Sequence, residues 1–393
     1  MEKLVLIVLA GLMLISCKKE PETTPPIKAD RTVLVYMAVS NLTSQAELNL
    51  ADMAAGMEGL SGNLIVYVNR YPGNAVLYRV NDDQTMVEVA QYGKEDPASA
   101  EVLQRVWNTT VQQFPADSYG LVIWGHATGW VPADLNITNQ RSKPIGEELS
   151  QPLQCMEQQI WTQMPNALPT KAYGGKMEIS DMVAALPQDR KLDFLLFDAC
   201  FMSSIEALYD LRNTAQYIIA SPTEVMGDGF PYTDVTPLFF QETLNLQGIC
   251  QAFVDSYRYS SSVQSASVAL INTSELEPLA TAVRNLHEAF PDPTIDLDDV
   301  QPFESLTRHV FYDMEDYFKQ FAEGSSQFEA FQSQLAKTVV FSDCTDWIYS
   351  AYGAMFQCVN YCGISTYVPQ DVFPVYGAAY AETAWAKAIG MSN

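Results

Sequence analysis

Two stretches of this chain put reactive side chains where an apolar run stops. "LVIWGHATGW" (121–130) carries His126 just after such a run, and "FLLFDACFMSSIEALYDLR" (194–212) carries Asp198 and Cys200 after another. A carboxylate is costly in an apolar strand, and a free thiol is a liability outside a reducing compartment, so both need a reason. In an open parallel sheet, neighbouring strands bring their carboxyl ends to one rim, where ligands gather. A thiol beside an imidazole ionises readily and becomes a strong nucleophile, and the imidazolium can then protonate a leaving amine. That pair suits acyl transfer. A helix expected to open at Cys200 adds N-terminal amides that favour the thiolate.

Asp198 lies two residues before Cys200 and is expected on the same strand face. Its charge works against a thiolate, so it makes better sense lining a pocket for a positive side chain. Asp228, in "VMGDGFPY" (225–232), is a second acid, flanked by glycines that let backbone approach a ligand closely. Together they describe an acidic pocket for a guanidinium or an ammonium. Taken singly, His126 fits a core histidine, Cys200 a structural thiol, Asp198 a helix cap and Asp228 a turn. The combination is what points to chemistry.

The elements that must position these residues alternate. "TVLVYMAV" (32–39) reads as a strand covered on both faces, and Ser44 with Glu47 as a capping box for the helix that follows. A strand over 63–70 precedes a hairpin turning at Asp82-Asp83-Gln84, and Pro97 marks a helix start before the strand that leads to His126. Residues 131–176 lack periodicity and form a long insertion. A short helix over 178–186, the strand ending at Cys200, a helix through Arg212 and a strand over 217–221 complete an α/β/α sandwich with a mostly parallel sheet. From 237 to 393 the pattern weakens, with helices expected at 275–290, 326–338 and 379–389. It predicts a C-terminal α/β subdomain packed on a catalytic unit spanning 31–236.

The formal net charge of −25 opposes binding to phosphate backbones, which excludes nucleic acid as a natural partner. No G-x-S-x-G occurs, so a serine hydrolase of that kind has no support. "MEKLVLIVLAGLMLISC" has an apolar run too short to span a bilayer, and it reads as a secretory signal over residues 1–17. Its Leu14-Ile15-Ser16-Cys17 ending resembles a bacterial lipobox. Cys17 is therefore the expected lipidation site, followed by a disordered tether over 18–30. The expected location is a bacterial membrane, on the periplasmic side or the cell surface. Seven cysteines occur, and setting aside Cys17 and Cys200 leaves an odd number that cannot all pair within one chain. Cys358 and Cys362 lack a nearby histidine and read as buried packing rather than a zinc site.

Over 119–236 the sequence resembles the clostripain family of cysteine peptidases, relatives of the caspases and gingipains. In that family the histidine sits in a His-Gly-x-Gly-Trp-like turn and the nucleophile in Asp-Ala-Cys-x-Met. His126 matches the histidine, Cys200 the nucleophile, Asp198 the acid before it, and Asp228 the aspartate of Gly-Asp-Gly-Trp-Pro-Tyr, with Phe230 in place of the tryptophan. The resemblance implies a caspase-like fold and a Cys/His dyad cleaving protein or peptide substrates after Arg or Lys. Asp198 and Asp228 would line the pocket for that side chain. Backbone N–H groups of Ala127 and Cys200 would hold the oxyanion. Ala127 departs from the family's usual glycine, narrowing the approach and giving a foothold to the alternative of an idle lipoprotein that binds basic peptides. Family members are often cut between histidine and cysteine. The insertion offers Arg141, Lys143, Lys171 and Lys176, with self-cleavage expected at Lys171 or Lys176. No cofactor is required. Some members need calcium, but "DPTIDLDD" (292–299) lacks EF-hand spacing and reads as a solvated acidic loop.

Overall fold

The computed structural model describes residues 28–70, 72–132, 177–260, 263–306, 309–351, 355–371 and 374–391. The signal segment with Cys17, most of the tether, Cys155 and the insertion with Arg141, Lys143, Lys171 and Lys176 lie outside the described residues.

Nine strands form one sheet. In chain order they are β1 (Ala29–Ala38), β2 (Asn63–Asn69), β3 (Ala75–Val80), β4 (Met86–Tyr92), β5 (Ala116–Trp124), β6 (Leu192–Asp198), β7 (Ala215–Ala220), β8 (Ser267–Asn272) and, after the short β9 (Tyr312–Asp313), β10 (Val339–Cys344). Their order across the sheet is β10-β8-β7-β6-β5-β1-β2-β3-β4. The central five, β2-β1-β5-β6-β7, run parallel, and antiparallel pairs extend both edges. Every residue of β2 is buried, as a strand covered on both faces requires.

Helices cover the sheet in two groups. α1 (Thr43–Gly56) packs on α5 (Tyr232–Phe239), which packs on α6 (Leu246–Arg258). The other group joins α2 (Ala100–Gln113), α3 (Ile179–Ala185), α4 (Ile205–Asp210), α7 (Leu276–Ala289), α9 (Ser326–Thr338) and α11 (Ala384–Ala388), with α8 (Met314–Ala322) against α9 and α10 (Pro374–Glu382) against α11. The result is the α/β architecture expected from the alternation of elements.

Three local expectations give way to other contacts. The N-cap of α1 is Leu42 with no side-chain cap, because Glu47 instead meets the Arg70 guanidinium at 2.7 and 2.8 Å. α2 starts at Ala100 rather than at Pro97, with the Ser99 hydroxyl accepting the Val102 N–H at 3.4 Å. Beyond 236, β8 and β10 join the main sheet at the edge beside β7, while β9 with β13 (Ser365–Thr366) and β11 (Trp347–Ile348) with β12 (Phe356–Gln357) make only two-stranded ladders, and one apolar core runs from Val33 to Ile389. Hydrophobic burial favours this, since an amphipathic edge covered by α7 and α9 needs no second core.

The C-terminal part also reaches the centre. Glu206, fully buried in α4, accepts the Tyr367 N–H at 2.8 Å and the Thr366 hydroxyl at 3.3 Å through Oε1. Its Oε2 has no hydrogen-bond partner among the described residues, and burial pushes the carboxyl up to about 7. The folded state therefore holds a proton that the unfolded chain releases near 4.5. The stability tied to that proton is full below 4.5, falls as pH rises, and is gone above about 7. Wild type is expected to lose about 3 kcal/mol over this window relative to Glu206→Gln, measured by urea unfolding across pH.

Candidate active site

β5 and β6 are adjacent and parallel, with Trp124 opposite Asp198. His126 and Cys200 each stand two residues beyond that pair, so both leave the sheet at the same carboxyl rim. Gly125 makes the turn to His126. Its φ is +149°, and a Cβ there would stand 2.9 Å from the Ala38 carbonyl oxygen. Only glycine lets β1 and the histidine turn come this close.

His126 is half-buried, and its Nε2 lies 2.6 Å from Asn41 Oδ1, beyond the end of β1. With the amide oxygen facing the ring, Nε2 carries the hydrogen and Nδ1 is the basic nitrogen of the neutral tautomer. Cys200 is fully buried. Its sulfur accepts the Val225 N–H at 3.1 Å, and its S–H direction meets the Val225 carbonyl at 3.6 Å. A backbone N–H aimed at sulfur stabilises negative charge there. A helix does not open at Cys200: β6 ends at Asp198 and α4 begins only at Ile205. Between them the chain turns through Phe201, at φ +60°, which stacks on Phe311 with ring centroids 4.6 Å apart. The Val225 amide thus occupies the place that helix amides were expected to fill.

The turn after Cys200 is clamped on two sides. Phe201 N–H donates to Thr223 O and Ser203 N–H to Ser221 O, each at 3.0 Å, from the segment after β7. The Ser203 hydroxyl donates to Gly363 O at 2.6 Å, and Ser365 N–H donates to Ser203 O at 3.0 Å, from the C-terminal part.

Asp198 has no exposed surface. Its Oδ2 accepts the Tyr232 hydroxyl at 2.9 Å and the Phe230 N–H at 3.4 Å. Asp228 is exposed, and its carbonyl accepts the Asn49 amide at 2.9 Å. Asn49 Oδ1 in turn accepts Trp124 Nε1–H at 2.8 Å, tying this loop to the end of β5. Both acids act on one phenol: burial, then the charges of Asp198 and Asp228, hold Tyr257 well above its ordinary value. The structure therefore brings the two acids to one side of the rim. A cavity of about 210 Å³ opens on the other flank of His126, lined by Tyr36, Asp96, Trp124, Ala127, Met182 and Met202 among others. Neither acid nor Cys200 lines it. Among the described residues no cluster of His, Cys, Asp or Glu is arranged to hold a metal ion.

The sequence pattern of the clostripain family, Peptidase C11, matches residues 35–157 and 170–388. The chain belongs to that family. The structure of an inactive zymogen C11 protease from Parabacteroides distasonis is 29% identical with a TM-score of 0.75, over 93% of this chain and 99% of that one. A secreted C11 cysteine protease from Bacteroides thetaiotaomicron, in complex with an irreversible peptide inhibitor, is 28% identical with a TM-score of 0.75, over 92% and 98%. A second Bacteroides thetaiotaomicron structure, a secreted C11 protease called iotapain, shares the fold at 24% identity and a TM-score of 0.77, over 92% and 100%. No curated relative matches the chain. The protein is a cysteine peptidase.

Several side chains around the peptidase's rim escaped sequence reasoning. Asn41 follows a strand end just as His126 does, so the rule that singled out the histidine also reaches it. Val225 acts through its backbone, which no residue type announces. Tyr232 was legible only as part of the "GFPY" match. Gly129, at φ +63°, joins the two turns: a Cβ there would stand 2.7 Å from Phe201 O and 3.0 Å from the Phe311 ring. Gly129→Ala is expected to cost about 1–3 kcal/mol of stability, read from its urea midpoint, because both strain and the steric clash must be absorbed.

Proposed function

We propose that the chain is a lipid-anchored endopeptidase that cleaves after Arg or Lys through His126 and Cys200. The register of β5 and β6 carries this reading, since it sends both side chains out of the sheet at one level. In the proposed reaction the Cys200 thiolate attacks the scissile carbonyl carbon, and backbone N–H groups of Ala127 and Cys200 receive the oxyanion. The His126 imidazolium gives its proton to the leaving amine as the C–N bond breaks. Water, deprotonated by His126, then attacks the acyl carbon, and breaking of the C–S bond restores the thiolate–imidazolium pair. Thiol and imidazole supply all the chemistry, so calcium serves stability at most.

Asp198 and Asp228 are proposed to set the preference for a basic side chain, with Asp228 offering the exposed carboxylate. The covered sulfur of Cys200 supports a precursor state, opened by self-cleavage at Lys171 or Lys176. Export through the 1–17 signal and lipidation at Cys17 would hold the enzyme at a membrane, facing peptide substrates. A second reading, an idle binder of basic peptides, draws on the same covered sulfur.

Fluorogenic peptides differing only in the residue before the scissile bond separate the two. Turnover of the Arg and Lys peptides at least about 100-fold above their Gln and Leu counterparts is expected. No turnover of any peptide, even after nicking of the insertion, would establish the idle binder.

A further inference from the structure

Cys344 and Cys358 face each other across an outer hairpin, β11 (Trp347–Ile348) paired with β12 (Phe356–Gln357). The backbone of Cys344 is fixed at the end of β10. The Arg258 guanidinium donates to Cys344 O at 3.0 Å and to Asp343 at 2.7 Å, and Asp343 Oδ1 accepts the Cys344 N–H at 2.9 Å. Cys358 is fixed by its own N–H, which donates to Asp346 O at 2.9 Å. Between these anchored backbones the two sulfurs stand 3.3 Å apart. A bond needs about 2.05 Å, a closure that small side-chain rotations supply. Cys362 is different: it is buried, and its sulfur donates to Ile364 O at 3.2 Å.

We propose that Cys344 and Cys358 form a disulfide in the exported protein, a covalent clasp across the β11–β12 hairpin. The oxidant is an external disulfide, that of a dithiol oxidase or of oxidised glutathione. The Cys344 thiolate attacks it, forming a mixed disulfide and expelling one external thiolate. The Cys358 thiol then loses its proton and attacks the Cys344 sulfur, forming the internal bond and expelling the second thiolate. Two cysteine thiols give up two electrons, one external disulfide accepts them, and the two protons pass to the expelled thiolates. Both sulfurs are half-buried, so the same balance holds whichever of the two attacks first.

The clasp steadies a shelf beneath the rim. Within its loop, the Ser350 hydroxyl and the Ala351 N–H each donate to Glu224 Oε1 at 2.9 Å, and the next residue, Val225, holds the Cys200 sulfur. The inference rests on the proposed export only for its oxidant.

Chymotrypsin tests it, because cuts after Phe341, Trp347, Phe356 and Tyr361 put Cys344, Cys358 and Cys362 on three peptides. The mature chain is incubated with oxidised glutathione, alkylated in denaturant and digested. Peptides 342–347 and 357–361 are expected joined, lighter than their sum by two hydrogens, with Cys362 alkylated. Reductant should separate them and lower Tm by about 3–8 °C, as opening a loop of this length does. Cys344→Ser should show the same Tm with and without reductant. Alkylation of both cysteines without reduction, or Cys358 joined to Cys362, overturns the proposal. The readouts are a mass and a melting temperature, so a failure here leaves the peptidase reading intact, and absent turnover leaves the clasp intact.

Discussion

Replacing Cys200 by alanine is expected to lower kcat/KM on Lys- or Arg-coumarin peptides by at least about 10³-fold, while the fold survives. The activity loss follows from chemistry: without sulfur no acyl-enzyme can form, and His126 alone can only activate water poorly. The fold survives because only the sulfur is removed, and the buried Val225 N–H that loses it as acceptor costs about 1–3 kcal/mol. Peptidase assay and thermal unfolding on the same preparation measure both halves. The Cys200→Ala chain should also remain a single band where wild type shows two fragments, if Lys171 or Lys176 is cut in self-processing. Turnover within tenfold of wild type would remove Cys200 from the chemistry altogether.

The second large effect separates the two acids. Asp228→Asn is expected to raise KM for Arg and Lys peptides about 10–100-fold with Tm unchanged, because an exposed carboxylate is lost from the substrate side only. Asp198→Ala should do more. It strips the buried Tyr232 hydroxyl and the Phe230 N–H of their acceptor, each costing about 1–3 kcal/mol. A fall in Tm should therefore accompany the fall in activity. Tyr232→Phe, which removes the donor and leaves the acid, isolates the structural share: a lower Tm with Arg and Lys preference retained. Should Asp228→Asn leave KM unmoved, the basic preference must be built from other groups.

How far the sequence led is clearest from the strand ends. Continuous apolar runs around Val33, Leu64, Leu121, Leu195 and Ile218 are strands that α/β packing buries on both faces, so their existence and parallel pairing were readable. The placement of His126 and Cys200 at one rim followed from that alone. What failed was local and polar. The Ser44–Glu47 pair fits a capping box, yet Arg70 offers Glu47 a full charge, which a lone N–H cannot match. The helix expected at Cys200 was misplaced because Phe201 adopts a left-handed backbone that its residue type disfavours, held by stacking on Phe311 and by its N–H donating to Thr223 O. The chain from 237 was read as an α/β subdomain packed on the catalytic unit, and that β8 and β10 add antiparallel edges to the main sheet was not legible, since nothing in a local pattern tells which sheet an edge strand joins. Val225 was invisible for the plainest reason: its contribution is an amide that every residue but proline carries.

The clamp of Gly363 and Ser365 on the Ser203 turn sets an order of events during synthesis. When the segment bearing Cys200 leaves the ribosome, its final braces are still untranslated, some 160 residues behind. At about 5–20 residues per second they arrive many seconds later. A nascent chain therefore carries the Cys200 sulfur on an unfinished turn until the C-terminal part has been made. Truncation just before Gly363 should yield an inert protein of lower stability, since Ile364 and Trp385 leave the core with the brace, and any hydrolysis by such a fragment would show that the brace is dispensable.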